Sequence, residues 1–323
     1  MPFGQVVVGP PGSGKSTYCY GMHQFLSAIG RQCIIVNLDP ANDFMRYPCT
    51  IDIRKVIDIE TIQNTYDLGP NGALIFAMET IEYHVDWLCE ELESHKDAYV
   101  ILDCPGQVEL FTDHDSLQKI ISTLSKRIDF RPVVVQLVDS FCCVDPAAYI
   151  SALLVCLKGM LQLDLPHINV LSKADLLSTY GTLPMSLDFY SNVQDLSYLT
   201  PLLDRDPRLL RYSELNKTMC ELIEEFGLVS FEVLAVENKA SMLHLLQKID
   251  QAGGYAFGST EIGGDIIWAN AVRQGGDPLQ DVSPQERWID RKEEYDRYER
   301  EMEEKYMSEN KKGEAEEEEE ELM

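Results

Sequence analysis

Short, nearly unbroken apolar runs recur along this chain, and stretches of helical period separate them. Phe3 to Val8, Cys33 to Asn37, Tyr99 to Asp103, Val133 to Asp139, His167 to Leu171 and Phe231 to Leu234 are rich in Val, Ile and Leu with little alternation. Runs of this kind predict strands buried on both faces, because a strand open to water on one side alternates polar with apolar. Lys15 to Ile29, Ile59 to Tyr66, Gly72 to Glu93 and Lys239 to Ala252 place apolar residues three and four apart and predict helices. Gly30 stops the first of these, and Gly69-Pro70-Asn71 breaks the pattern between the second and third. Leu38 to about Thr50 reads as a loop. Such alternation predicts an α/β fold: a doubly wound, mostly parallel sheet with helices on both faces.

The rhythm fails twice. From Leu176 to Phe226 the chain is polar, mostly helical in period and punctuated by Pro184, Pro201 and Pro207, which predicts a helical insertion at about 176–226. Gly253-Gly254, Gly263-Gly264 and Gly275-Gly276 then mark a loose exit, so the α/β unit is expected over 1–265 and a charged extension over 266–323. In the extension, Glu293 with Arg297, Asp296 with Arg300 and Glu301 with Lys305 have the acid-before-base spacing of an exposed helix. Trp288, Tyr295, Met302 and Tyr306 make a sparse apolar stripe, suited either to a partner or to the chain's own body. Glu316 to Glu321 predicts a disordered acidic tail, either a solvating one or a hook for a basic partner.

Charge and cysteine content narrow the function. Against 27 Lys and Arg stand 54 Asp and Glu, a formal charge of −27. Such a surface repels a polyanion, so no direct nucleic-acid partner is expected and a basic protein suits it better. Nine cysteines include no C-x-x-C pair, and no metal-type spacing joins them to the six histidines. Free thiols in a reducing compartment follow, with adjacent Cys142 and Cys143 read as packed thiols rather than redox partners. No run reaches the roughly 18 to 20 uninterrupted apolar residues of a membrane span, and Met1-Pro2-Phe3-Gly4 begins neither a signal peptide nor a myristoylation site. No membrane partner is expected, and the expected location is the cytoplasm with passage to the nucleus.

The chemistry is carried by three segments at strand ends. Gly9-Pro10-Pro11-Gly12-Ser13-Gly14-Lys15-Ser16 fits G-x-x-x-x-G-K-[ST] directly behind a strand. Glycines there let successive N–H groups of Gly12, Ser13 and Gly14 turn toward phosphate oxygens, Lys15 reaches the β- and γ-phosphates, and Ser16 is placed to ligate Mg²⁺. Asp103-Cys104-Pro105-Gly106-Gln107 ends another strand. Its aspartate is placed to hold Mg²⁺ directly or through a water, Gly106 to turn its N–H to the γ-phosphate, and Gln107 to orient the attacking water. Ser172-Lys173-Ala174-Asp175 resembles the [NTS]-K-x-D box of GTPases. The Asp175 carboxylate can accept from N1–H and the 2-amino group of guanine, and the Lys173 stem can cover the base. Ala235 falls where a further guanine-contacting loop is expected, although Leu234-Ala235-Val236 departs from the usual Ser-Ala pattern. GTP or GDP with Mg²⁺ is therefore the expected ligand set.

Gly69-Pro70-Asn71, set between Asn37-Leu38-Asp39-Pro40-Ala41 and the Asp103 strand, resembles the insertion that defines the GPN-loop GTPases. The likeness extends to Gly9 through Thr17, Asp103 to Glu109 and Gly254-Tyr255-Ala256-Phe257-Gly258, and is strongest to the second eukaryotic paralogue of that family. The resemblance implies a P-loop NTPase fold and GTP hydrolysis in a dimer, either of two identical copies or with another member of the family. It implies that Asn71 acts on the other subunit's phosphates, that Asp39 contacts Mg²⁺ or water near the γ-phosphate, and that Gln107 and Glu109 flank the nucleophile. Thr17 comes with the phosphate loop, and RNA polymerase II subunits or assembly factors come as clients. Arg46 and Arg54 lie in the presumed first switch without an assigned finger role. The competing readings are a nucleoside-monophosphate-type small-molecule kinase, since the phosphate loop also resembles that of adenylate-kinase-like enzymes, and a scaffold that holds GTP without turnover.

Overall fold

Seven strands form one sheet in the computed structural model, which describes residues 2–42, 45–255, 279 and 282–302. They are β1 (Phe3–Val8), β2 (Cys33–Asn37), β3 (Ile51–Asp52), β4 (Tyr99–Asp103), β5 (Arg131–Asp139), β6 (His167–Ser172) and β7 (Phe231–Val233). The order is β3-β2-β4-β1-β5-β6-β7 with every pairing parallel. Parallel pairing delivers all carboxyl ends to one edge, and the chain turns from one half of the sheet to the other across β1. The loops after β1, β4 and β6 therefore meet there.

Both faces of the sheet are covered. Val6 and Val8 point into one buried cluster with Met78, Leu88, Ile120 and Leu124, while Val7 points into the other with Met22, Leu26, Leu243 and Leu246. A third cluster joins Val138, Leu171 and Val233 to Leu187, Tyr190, Leu199 and Ile223 from the helical segment between β6 and β7. That segment thus shares a core with the sheet edge. Trp288 is buried in the same cluster, so that residue of the extension's stripe docks on the chain's own body, while Met302 is exposed. The stretches holding Gly263-Gly264, Gly275-Gly276, Tyr306 and Glu316 to Glu321 lie outside the described residues.

Three local expectations change. Residues 51–52, just past the loop expected to end at about Thr50, form an edge strand paired with Val36 and Asn37 that the sequence pattern did not predict. The break between the second and third helices falls at residues 67–69, and Pro70 and Asn71 already belong to the next helix: Gly69 is the N-cap and Pro70 the first position of Pro70–Tyr83, where a missing N–H costs nothing. A further break comes at His84, which divides that helix from Val85–Glu93.

Pro146–Leu163 is 18 residues long with mean hydropathy 1.4, long and apolar enough by composition to cross a membrane, although Ser151, Lys158 and Gln162 interrupt its apolar run. Here Tyr149, Ile150, Leu153, Cys156 and Leu157 bury one side of it against β5, β6 and the inserted helices. The Tyr149 hydroxyl donates to the carbonyl of Tyr190 at 2.7 Å.

A buried ion pair ties the first helix to the one that follows β7. Arg31, just beyond Lys15–Ala28, donates to both oxygens of Asp250 in Lys239–Gly253 at 3.0 and 2.9 Å. Its guanidinium lies 4.2 Å from the ring centre of Tyr255. Removing the acid would leave a charge in a dry interior, so Asp250→Ala is expected to lower unfolding free energy by about 3 to 5 kcal/mol in urea titration. An unchanged midpoint would show the pair to be dispensable.

Candidate nucleotide-binding site

Residues 9–14 join β1 to the helix Lys15–Ala28, and their backbone is one that side chains resist. Gly12 and Gly14 have φ of 81° and 94°, in the left-handed region. Gly14 is the N-cap of the helix and brings no side chain to bond its first N–H groups. Those donors and the positive dipole end remain available to an anion. Lys15 folds back over its own loop, donating to the carbonyls of Gly9 at 3.0 Å and Pro10 at 3.3 Å. Burial holds its pKa below the ordinary lysine value, and the Asp103 and Asp39 carboxylates oppose that fall. A phosphate here would take the place of two carbonyls as the partner of that ammonium.

Asp103 is the hub. Register pairs it with Val7 and with Asn37, so its carboxylate stands at the carboxyl end between β1 and β2. One oxygen accepts from Ser16 Oγ at 3.0 Å and from Tyr47 Oη at 2.7 Å, while Oδ1 is buried without a partner. Burial raises the Asp103 pKa; the bonds from Tyr47 and Ser16 and the charge of Lys15 pull it down, and Asp39 pushes it up again. The same pairing and burial raise the Tyr47 hydroxyl. Nothing in the sequence pattern marks Tyr47, one apolar residue in a loop.

Asp39 is aimed by the turn it sits in. Its N–H donates to Asn37 Oδ1, its Oδ1 accepts from the N–H of Ala41 at 2.9 Å, and Asn37 Nδ2 spans from the Asp39 carbonyl to Asp52. Arg54 is occupied within the same loop by Asp52 at 2.8 Å and by the Asn42 carbonyl at 2.7 Å, whereas Arg46 is exposed. Across the cleft Gly106 approaches so closely that a Cβ would lie 2.9 Å from Lys15 Nζ and 3.5 Å from Pro11. Gln107 follows with Oε1 buried and unpartnered. Glu109 and Thr17 are exposed, each in the first turn of a helix.

On the base side, Ser172 has different work from that expected. It is 3% exposed, and its hydroxyl lies 2.7 Å from the carbonyl of Ser13 and 3.1 Å from that of Val138. A hydroxyl committed to those carbonyls is a strut between β6 and the phosphate loop rather than a ligand contact. Lys173 has φ of 60°, and its Cε passes 3.9 Å from where a Gly14 Cβ would stand. Its ammonium meets Asp139 Oδ2 at 2.5 Å, a partner at the end of β5 that sequence reasoning did not select. Asp175 is half-buried in the single turn Ala174–Leu176. Ala235 is buried, its carbonyl accepting from Asn238 N–H and Ser241 Oγ, and the Ala174 N–H donates to Leu234 at 3.0 Å. That bond joins the two base-side loops.

Asn71 stands apart from these side chains, exposed in the first turn of Pro70–Tyr83. The arrangement combines a phosphate cradle, a hard-oxygen pair for a small cation, an amide for a water and a carboxylate for a base. It can hold a nucleoside triphosphate and hydrolyse it.

Comparison with known proteins agrees. A family model described as a conserved hypothetical ATP binding protein matches residues 7–255. GPN-loop GTPase 2 of Schizosaccharomyces pombe is 77% identical over 94% of this chain and 97% of its own length. GPN-loop GTPase 2 of Saccharomyces cerevisiae is 50% identical over 93% of this chain and 88% of its own. The crystal structure of an apo-form GTPase from Pyrococcus abyssi shares the fold at a TM-score of 0.63 and 24% identity, covering 79% of this chain and 98% of that one.

Tyr47 supplies the hydrogen bond that most lowers the Asp103 pKa. In Tyr47→Phe that pKa rises, protons compete with a cation at higher pH, and the acid limb of Mg²⁺-dependent nucleotide affinity is expected to move upward. Fluorescence titration from pH 5 to 8 reads the shift; coincident limbs would remove Tyr47 from the site.

Proposed function

This chain belongs to the GPN-loop GTPases and hydrolyses GTP, and from that premise we propose that it is a Mg²⁺-dependent dimeric switch whose second half is another GPN-loop subunit. The observation that carries the reading is a division of labour. Phosphate, cation and base groups gather within one chain, while Gly69, Pro70 and Asn71 project exposed at the start of a helix.

Within one chain the roles follow from geometry. The Gly12–Gly14 amides and the helix terminus receive phosphate, and Lys15 turns from its two carbonyls to the β- and γ-phosphates. Ser16 Oγ and the unpartnered Asp103 Oδ1 are hard oxygens beside one another, which fits Mg²⁺, an ion that takes one or two protein oxygens and keeps several waters. Bound there, the ion would draw charge from the phosphate oxygens and offset the repulsion between Asp39 and Asp103. Gln107 Oε1 can accept a hydrogen bond from the attacking water and fix its direction toward the γ-phosphate. Asp175 accepts from guanine. The kinase and scaffold alternatives give way, since this is a GTPase family.

The dimer supplies what the chain leaves open. Asn71 from the facing subunit, homodimeric or from a paralogue, donates its amide to a phosphate oxygen or to the water, with Glu109 beside it on the exposed rim. Tyr66 and Tyr83, 56% and 84% exposed near the two ends of the same region, offer apolar contact for that partner. Opening and closing with GTP state would load and release a client, and the family resemblance points to RNA polymerase II subunits or their assembly factors, met in the cytoplasm and accompanied to the nucleus. The −27 charge favours such a protein client over nucleic acid.

Asn71→Ala is expected to slow phosphate release about tenfold or more while leaving GDP affinity within twofold, because it removes one transition-state donor. Mixing it with a Lys15→Ala subunit restores part of the activity if sites are shared across subunits; no recovery counts against the trans role. Competition of unlabelled ATP and GTP against labelled GDP tests the base assignment. Equal displacement, or an unchanged preference in Asp175→Asn, would sink it.

A further inference from the structure

The carboxy-terminal segment 282–302 does not lie loose on the surface; it touches the guanine side of the site at two points and the inserted helices at a third. Lys292 Nζ donates to the main-chain carbonyl of Asp175 at 2.6 Å. Glu299 Oε2 accepts from Asn238 Nδ2 at 2.5 Å. Asn238 closes the Ala235 loop, since its N–H donates to the Ala235 carbonyl and its Oδ1 caps the helix Lys239–Gly253. Gln285 exchanges hydrogen bonds with the N–H of Leu187 at 2.7 Å and the carboxylate of Asp188 at 3.1 Å.

One buried charge organises these contacts. Arg287 is 1% exposed, pairs with Asp296 at 2.9 Å and with Glu299 at 3.0 Å, and stacks 4.4 Å from the ring centre of Trp288, itself buried against the insertion. A guanidinium out of water holds its acids tightly, because losing them costs more than an exposed pair is worth. Glu299 is thereby fixed from one side by Arg287 and fixes Asn238 on the other. Lys292 is seven residues earlier on the same helix, two turns, so it reaches the Asp175 turn from the same rigid body. The Asp175 turn needs such a support: Ala174–Leu176 is a single 3₁₀ turn, a conformation with poor hydrogen-bond geometry of its own.

We propose that segment 282–302 braces the guanine pocket, with Lys292 and Glu299 as positioning residues that hold the Asp175 and Ala235 loops at the spacing guanine requires. This rests on the reading of Asp175 as the base acceptor. Asp175 discriminates guanine from hypoxanthine only if its carboxylate reaches the 2-amino group as well as N1–H, and a shift of the turn costs the second contact first. The brace therefore sets base selectivity and nucleotide lifetime from outside the sheet, and touches none of the phosphate-loop residues itself.

The test compares dissociation of fluorescent GDP and IDP, chased with unlabelled nucleotide, from full-length Lys292→Ala, Lys292→Arg and Glu299→Ala. Lys292 is half-buried and lies outside the three apolar clusters, so its variant is expected to fold. Loss of one charge-assisted bond predicts GDP release about tenfold faster and IDP release about threefold faster, with kcat at saturating GTP unchanged and Lys292→Arg near the parent. GDP release within twofold of the parent in both alanine variants would overturn the brace, as would equal acceleration of GDP and IDP, which marks general loosening. Asp175→Asn in the parent separates the failures. If it erases the GDP-over-IDP preference while Lys292→Ala keeps it, the base reading stands and the brace falls; if the preference survives Asp175→Asn, both fall.

Discussion

A carboxylate kept out of water at the end of β4, with one oxygen bonded twice and the other not at all, sets the terms for everything around it. Burial disfavours the charge of Asp103 and pushes its pKa up. Ser16 and Lys15 from the phosphate loop and Tyr47 from the stretch after β2 offset that cost. The phosphate loop, the first switch loop and the Gly106 loop are gathered around that one group. Its free oxygen keeps the cluster short of one positive partner.

The phosphate end and the base end are also mechanically one object. The Ser172 hydroxyl joins β6 to Ser13, the Lys173 stem lies over Gly14, and the Ala174–Leu234 bond links the two base loops. Nucleotide specificity and phosphate binding therefore share struts. Arg31 with Asp250 holds the far ends of the helices that flank these loops, so the edge of the sheet where ligand binds is supported from the opposite edge.

Much of this was legible in the sequence for a physical reason. Strands buried on both faces leave continuous apolar runs, and a phosphate loop needs glycines at spacings that chance seldom provides, so β1, β2, β4, β5, β6 and β7 and the Lys15 segment could be read directly. Two-residue β3 leaves no period to detect. Pro70 was ambiguous because proline both ends helices and starts them, and only the absence of a preceding helical turn decides which. Tyr47 and Asp139 act through neighbours distant in sequence, at 2.7 Å from Asp103 and 2.5 Å from Lys173, and no local pattern encodes such a meeting. Ser172 shows the reverse: a residue type shared with ligand-binding boxes, here spent on backbone carbonyls.

The apolar helix Pro146–Leu163 has a consequence for how the molecule is made. Its covering side chains include Leu187, Tyr190, Leu199 and Ile223, all synthesised after it, and its tyrosine is anchored to a carbonyl that does not yet exist when the helix leaves the ribosome. For the time it takes to add those residues, the nascent chain displays a membrane-length apolar helix covered only on the side that β5 and residues 109–128 reach. The inserted helices are thus a late lid on an early hazard, and a ribosome that stalled before Ile223 would hold a sticky intermediate that nascent-chain holdases would be drawn to.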